Sequence, residues 1–274
     1  MNVYIEASFD SATAVEPGVS LIQWFRAARV RLFDGLVAAE ASRGERVLSL
    51  ARVTQGIDDV PRGFSDVNNA WGDFEECLAA FPWGARITFL RDGEEMSELG
   101  SVNTHHAFRD GSLWKASVAM TVESADDSGQ CAVLVDFLRE ALDGSSPAFG
   151  RIELNNFNEL TNIEAVLRRR KRKSLRESRQ TLRGYAWVTV CPAELLARLG
   201  GASALEESGA FHRVIPLSAG GVLLQASETL GGYTDDVMER VFVALAPVLP
   251  EGEPCPDPAY PYMRFVPQDA ATAR

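Results

Sequence analysis

Adjacent histidines, a cysteine placed before a proline and a dense run of arginines and lysines are the residues of this 274-residue chain whose types could do chemistry. His105 and His106 invite a metal site, with His212 the third histidine. Their spacing is poor for it. If residues 101–108 continue as a strand, neighbouring side chains point to opposite faces, and nothing in the chain resembles H-E-x-x-H. Histidines with ordinary hydrogen bonds are the expectation, with no metal and no cofactor. Cys191 lies between a predicted strand and Pro192, near a predicted helix N-terminus, where the macrodipole and free N–H groups would favour a thiolate. That is the setting of a reactive thiol, and a thiol enzyme using Cys191 is one reading of the chain. Against it, His212 is the only downstream histidine, and free cysteine is a common small core residue. There is no G-x-S-x-G elbow, no G-x-x-x-x-G-K-[ST] loop and no G-x-G-x-x-G fingerprint, so the chain is expected not to be an enzyme.

The strongest compositional anomaly is Arg168, Arg169, Arg170, Lys171, Arg172 and Lys173, continued by Arg176, Arg179 and Arg183 with Glu177 the one acid among them. Outside this run remain 18 basic and 37 acidic residues, so the body of the protein carries −19 while the whole chain carries −11. A basic patch of this kind can hold a protein partner or nucleic acid, the latter with an affinity that falls steeply with salt. It can equally be a solvated helix or connector balanced by the protein's own acidic surface. Residues 158–184 have no aromatic side chains before Gly184 on which bases could stack, which places a nucleic-acid-associated accessory role using 168–183 second. The loop Gly56–Gly63 and the acidic stretch Asp92–Glu98 are exposed candidates for a basic partner, or are simply solvated.

Composition sets the frame for these residues. With 46% hydrophobic and 24% charged residues the chain reads as a folded globular protein. The acidic balance argues against general affinity for phosphate backbones or anionic membranes. No stretch approaches the ~20 apolar residues of a membrane span, and the opening MNVYIEASFD has neither a basic n-region nor an apolar h-region, so a cytoplasmic location is the expectation. Cys77, Cys131, Cys191 and Cys255 form no C-x-x-C pair, and reduced thiols are expected.

The elements that must position these residues follow from hydrophobic period. Val3, Ile5, Ala7 and Phe9 alternate with Asn2, Glu6 and Ser8, a strand with one face buried. Leu21–Ala41 carries Ile22, Phe25, Val30, Phe33, Leu36 and Val37 at helical spacing, with Gly44 as its stop. Ser65 is placed to cap a helix from about Asp66 to Ala80. Residues 85–91 and 111–122 read as neighbouring antiparallel strands, 130–142 as a helix and 149–154 as a strand. Further on, 184–190 is a strand and Pro192 opens a helix at its first position, closed by Gly200-Gly201. Strands at 211–217 and 221–227 flank a Ser-Ala-Gly-Gly turn, and Thr234 caps a helix through Leu245. Six prolines between 250 and 267 predict an extended, draped or mobile tail.

The fold expected is thus α+β, with mixed or antiparallel sheets and packed helices. Its parts are an N-terminal α+β half (1–155), a polar and basic connector (156–183) opened by Asn155, Asn156 and Asn158, a C-terminal α+β half (184–250) and a Pro-rich tail (251–274). An internal echo sets LWKAS against VLLQAS and VDFLREALDG against VFVALAPVLPEG, as two related α/β halves would; any two strand–helix units share this much.

Within 184–250, RGYAWVTVCPAELLARLGG followed by GGVLLQASETLGGYTDDVMERVFVALAPVLP resembles the C-terminal part of the bacterial type VI immunity family, long catalogued as a domain of unknown function. The shared features are the aromatic-Trp-[VL]-Thr strand at Tyr185–Thr189, Pro192 opening a short helix, the Leu199-Gly200-Gly201 stop, the Gly-x-Leu-x-Gln-Ala strand and a closing helix ending in Ala-Pro-Val-Leu. The resemblance implies a non-enzymatic cytoplasmic protein that neutralises a cognate protein toxin by complex formation. It supplies no catalytic residues.

Overall fold

The structure, a computed structural model, describes residues 1–10, 15–93, 96–154, 160–259 and 261–273. Asn155, Asn156 and Asn158 of the expected connector, and Glu94 and Glu95 of the acidic stretch, lie outside the described residues. The chain is α+β, as its periodicities predict: helices pack on one ten-stranded antiparallel sheet.

In chain order the elements are β1 (Asn2–Asp10), α1 (Pro17–Ala28), α2 (Asp34–Ser42), β2 (Arg46–Thr54), β3 (Arg62–Phe64), α3 (Trp71–Ala79), β4 (Gly84–Asp92), β5 (Ser97–His106), β6 (Leu113–Thr121), α4 (Ser128–Ala141) and β7 (Phe149–Leu154). They continue as α5 (Asn162–Val166), α6 (Lys171–Arg176), β8 (Val188–Cys191), α7 (Ala193–Arg198), α8 (Gly201–Glu207), β9 (Arg213–Pro216), β10 (Val222–Gln225) and α9 (Asp235–Leu245). Across the sheet the order is β3-β2-β4-β5-β6-β1-β7-β8-β10-β9.

One face of this sheet is covered by α1, α3 and α4. Val3, Ile5, Ala7 and Phe9 of β1 join Trp114, Ala116 and Val118 of β6 there, packed against Trp24, Phe25, Phe74 and Phe137 of the helices. The larger apolar layer of the other face lies at the far end, where Val222 and Leu224 of β10 and Cys191 meet Met238, Val241, Phe242 and Leu245 of α9. Leu223, between Val222 and Leu224, belongs to the first core, so the strand period of two divides β10 between the two layers.

About β7 the strand order reads alike in both directions. β1 pairs with β6, the strand before α4; β8 pairs with β10, the strand before α9; and β7 lies between β1 and β8. The two strand–helix units that echo in sequence, β6 with α4 and β10 with α9, occupy equivalent places on opposite faces.

Several sequence expectations are corrected. The strands at 85–91 and 111–122 are not neighbours, because β5 lies between β4 and β6 and pairs with both. β2 and β3 are strands that the hydrophobic period does not announce: β2 turns Ser49, Ala51 and Val53 inward and leaves Leu50 and Arg52 outside. The long helix is interrupted by a π-helical turn at Arg29–Phe33, whose extra residue rotates Val30 to 57% exposure and brings Leu32 and Phe33 into the core. α3 starts at Trp71, because Asp66 accepts from the Asn68 N–H and the Asn69 amide and holds 66–70 as a turn. Pro192 is the N-cap of α7 and not its first residue. Positions 184–187 precede β8 because the Thr189 hydroxyl accepts the Ala186 N–H and folds the chain locally.

Expected caps and turns form elsewhere. Thr234 caps α9, and Gly220 and Gly221 take φ of 96° and 86° in the β9–β10 turn. The Pro-rich tail is docked: the Tyr185 hydroxyl accepts the Val266 N–H at 2.8 Å, and Val266 and Ala270 are buried.

Candidate functional site

Register defines the second face of the sheet. Reading across the strands, Arg52 stands beside Arg86, Arg86 beside Asn103, Asn103 beside Ser117, Ser117 beside Glu6, Glu6 beside Arg151 and Arg151 beside Thr189. This row passes from solvent to a buried charge and ends in the second apolar layer. Leu50, Arg52, Arg86 and Glu98 stay exposed at the open end. A cavity of about 470 Å³ bordered by Tyr4, Arg86, Glu98, Ser101 and Thr121 marks the step where the covered part begins.

The cover is the segment 160–185. Thr161 and Glu164 close a reciprocal capping box at the start of α5, which fixes Glu164 over the sheet. Arg183 then bridges two layers: its guanidinium donates bidentately to Glu164, 2.8 and 3.0 Å, and to Glu6 of β1 at 3.2 Å, with all three side chains fully buried. Lys115 pairs with Glu6 at 2.5 Å and Arg151 with Glu6 at 3.3 Å and with Glu153 at 2.7 Å. Burial alone would raise the Glu6 carboxyl, but Lys115, Arg151 and Arg183 together hold it well below the usual carboxylate range. Glu6 and Glu164 are thus neutralised out of water by Lys115, Arg151 and Arg183, with the partly exposed Glu153 at the edge of the cluster. The arrangement pins 160–185 to the sheet.

The basic run is divided by this packing. Arg183 is buried; Arg179 reaches Asp10 at 2.9 Å and Glu194 at 3.1 Å; Arg169 pairs with Glu177 at 3.0 Å. Arg168, Arg170, Arg172 and Lys173 are exposed, and Lys171 and Arg169 are partly covered. Of the whole set, Lys171 and Arg172 come together with His105, His106 and Arg109 around a cavity of about 360 Å³. Phe108, Leu113 and Leu175 form a small separate core that holds α6 against this cavity. The guanidinium carbons of Arg172 and Arg176 lie 5.3 and 4.8 Å from the centre of the Phe108 ring.

The histidine pair behaves as a strand pair. His105 stands opposite Lys115 on the polar face, whereas His106 stands opposite Trp114 and stacks on Trp83 at 4.8 Å. Among the described residues no group of three or more His, Cys, Asp or Glu is placed to hold a metal ion. Cys191 is fully buried in the second core, and burial, followed by Glu194, pushes its thiol up to about 12, the opposite of what a helix N-terminus would give. Cys77 and Cys131 are also buried, and Cys255 is exposed. Brief alkylation of the native protein with iodoacetamide at pH 7.5 should therefore label Cys255 and leave Cys191 intact by mass spectrometry; rapid labelling of Cys191 would restore it as a reactive thiol.

Sequence reasoning missed the charged cluster of Glu6, Lys115, Arg151 and Glu164, because each reads as the polar side of a strand or helix. The signal present was a charged residue inside each of three strands that also carry strong apolar periods.

The fold described above has a counterpart among solved structures. The fold is similar to that of T6SS protein PA0821 of Pseudomonas aeruginosa. The TM-score is 0.58 at 13% sequence identity, covering 91% of this chain and 76% of that one. No family model matches the chain, and no curated protein matches it. Among the described residues no helix is long and apolar enough to cross a membrane.

Proposed function

We propose that this chain is a non-enzymatic cytoplasmic binding protein of immunity type, which neutralises a cognate protein toxin by forming a complex with it. The observation that carries the reading is the polar, partly open sheet face, running from exposed Arg52 and Arg86 to the rim of the cavity at His105 and Lys171. Its ionisable groups at depth are spent on one another, and its outer part offers strands, arginines and carboxylates to a partner. A protein interface of ordinary size buries about 1,600 Å² in total and takes its specificity from such polar pairs around a packed centre. The fold likeness to a T6SS protein supports the same reading.

The test is a titration. Cells producing a toxin encoded beside this gene should be protected only when this protein reaches molar equivalence with the toxin, and the two should co-elute as a complex. Protection at a small fraction of equivalence, with no complex, would replace binding by catalysis.

A further inference from the structure

We propose that the cavity between the end of β5 and α6 is a docking site for an acidic peptide segment of a partner protein, received by Lys171, Arg109 and Arg172. The inference rests on the reading of the chain as a protein-binding protein and names the chemistry of one part of the partner.

The cavity, about 360 Å³, has the volume for one or two side chains of such a segment. Its charged rim is cationic: Arg109, Lys171 and Arg172 border it, and Arg176 lies beside them over Phe108. Asp110 is the one acid of the adjoining loop, and it is already drawn to Arg176 at 3.7 Å. Arg109 and Arg172 have no carboxylate within ion-pairing distance among the described residues. Two of the cations are held in place before any ligand arrives, Arg172 by the Phe108 ring and Lys171 by its half-buried position, so little side-chain entropy remains to be lost on binding. Burial first, and then the like charges of Lys115, Arg183 and Arg151 against the opposing Glu6, bring Lys171 down to about 8.

A carboxylate-bearing peptide fits this site better than nucleic acid. Outside residues 168–183 the body carries −19, which repels a polyanion along its length but not a short acidic segment seated in one cavity. Base stacking would need a free aromatic face, and Phe108 is buried beneath two guanidinium groups.

The chain has three lysines, and their burial makes a zero-length cross-link decisive: Lys115 is fully buried, Lys173 has a 68% exposed side chain and Lys171 lines the cavity. A fluorescein-labelled hexaglutamate peptide is titrated into the full-length protein by anisotropy, then coupled with a carbodiimide and mapped by mass spectrometry. Saturable binding is expected, with the cross-link on Lys171 in excess of the more exposed Lys173. The double variant Arg109→Glu/Arg172→Glu, two exposed positions outside the buried ion pairs, should weaken binding by about tenfold or more with an unchanged melting temperature. Coupling mainly to Lys173 or the N-terminus, binding untouched by the double variant, or tighter binding of a dT6 oligonucleotide would each overturn the site. If the double variant instead still neutralises a toxin at molar equivalence, the docking site fails while the immunity reading stands. Hexaglutamate binding at Lys171 without any neutralisation would leave the site and remove that reading.

Discussion

Replacing Arg183 by Met lowers the free energy of unfolding by about 3–5 kcal/mol, seen as a fall in the urea midpoint with little change in slope. The size follows from where the guanidinium sits. Its side chain is fully buried, it makes the bidentate contact with Glu164 and it reaches Glu6, 177 residues away in sequence. A methionine fills similar volume but leaves Glu164 with a buried negative charge and removes one of the three cations around Glu6. Solvent cannot screen a site at this depth, so the loss should persist at high salt, unlike that of a surface pair. Adding Glu164→Gln to Arg183→Met should recover part of the loss. The neutral amide still accepts the Thr161 N–H that closes the capping box, and the orphaned charge is gone. A single-variant cost below about 1 kcal/mol, or strict additivity in the double variant, would mean that 160–185 is held by its apolar contacts alone.

That network also shows where the sequence stops being legible. Val3, Ile5, Ala7 and Phe9 announce β1 and its core face, and the same alternation assigns Glu6 and Ser8 to water. In the fold both are buried; the charge of Glu6 is met by Lys115, Arg151 and Arg183, and no local pattern carries that pairing. β2 is hidden for another reason: its inward side mixes Ser49 and Ala51 with Val53 while Leu50 lies on the open face, which blurs the apolar alternation. The helix expected over 21–41 was legible in extent, but the π-helical turn that moves Val30 outward depends on tertiary packing of Leu32 and Phe33. Of the basic run, composition marked the whole segment. Only the fold separates Arg183, which is structural, from Lys171 and Arg172, which line a cavity.

Between pH 6.5 and 4 the stability of the protein should fall by up to about 3 kcal/mol through His105 alone, and His105→Gln should abolish that part of the slope. His105 sits at the end of β5, where burial and then Lys115 of β6 and Lys171 of α6 bring its imidazole down to about 4; Glu6 of β1 opposes them weakly and His106 adds to them. In the unfolded chain the same group titrates near 6.5. Across the intervening window the unfolded state binds a proton that the folded state refuses, so stability rises with pH there, is complete above about 6.5 and is lost as pH falls through about 4. Glu6 has the same sign but a separate window: its depressed carboxyl contributes stability above the ordinary carboxylate value, and that contribution is withdrawn only in more acid solution. His106, lowered chiefly by its own burial, leaves a residual slope in the variant. Urea midpoints of both proteins at pH 7.5, 6.5, 5.5 and 4.5 separate these terms. Similar stability at pH 7.5, with the wild type losing more than His105→Gln on acidification, is the expected outcome. Parallel curves would show that neither burial nor Lys115 and Lys171 lowers the His105 imidazole in the folded protein. His105 and Lys171 border the cavity proposed for an acidic ligand, and Lys115 stands opposite His105 on the neighbouring strand.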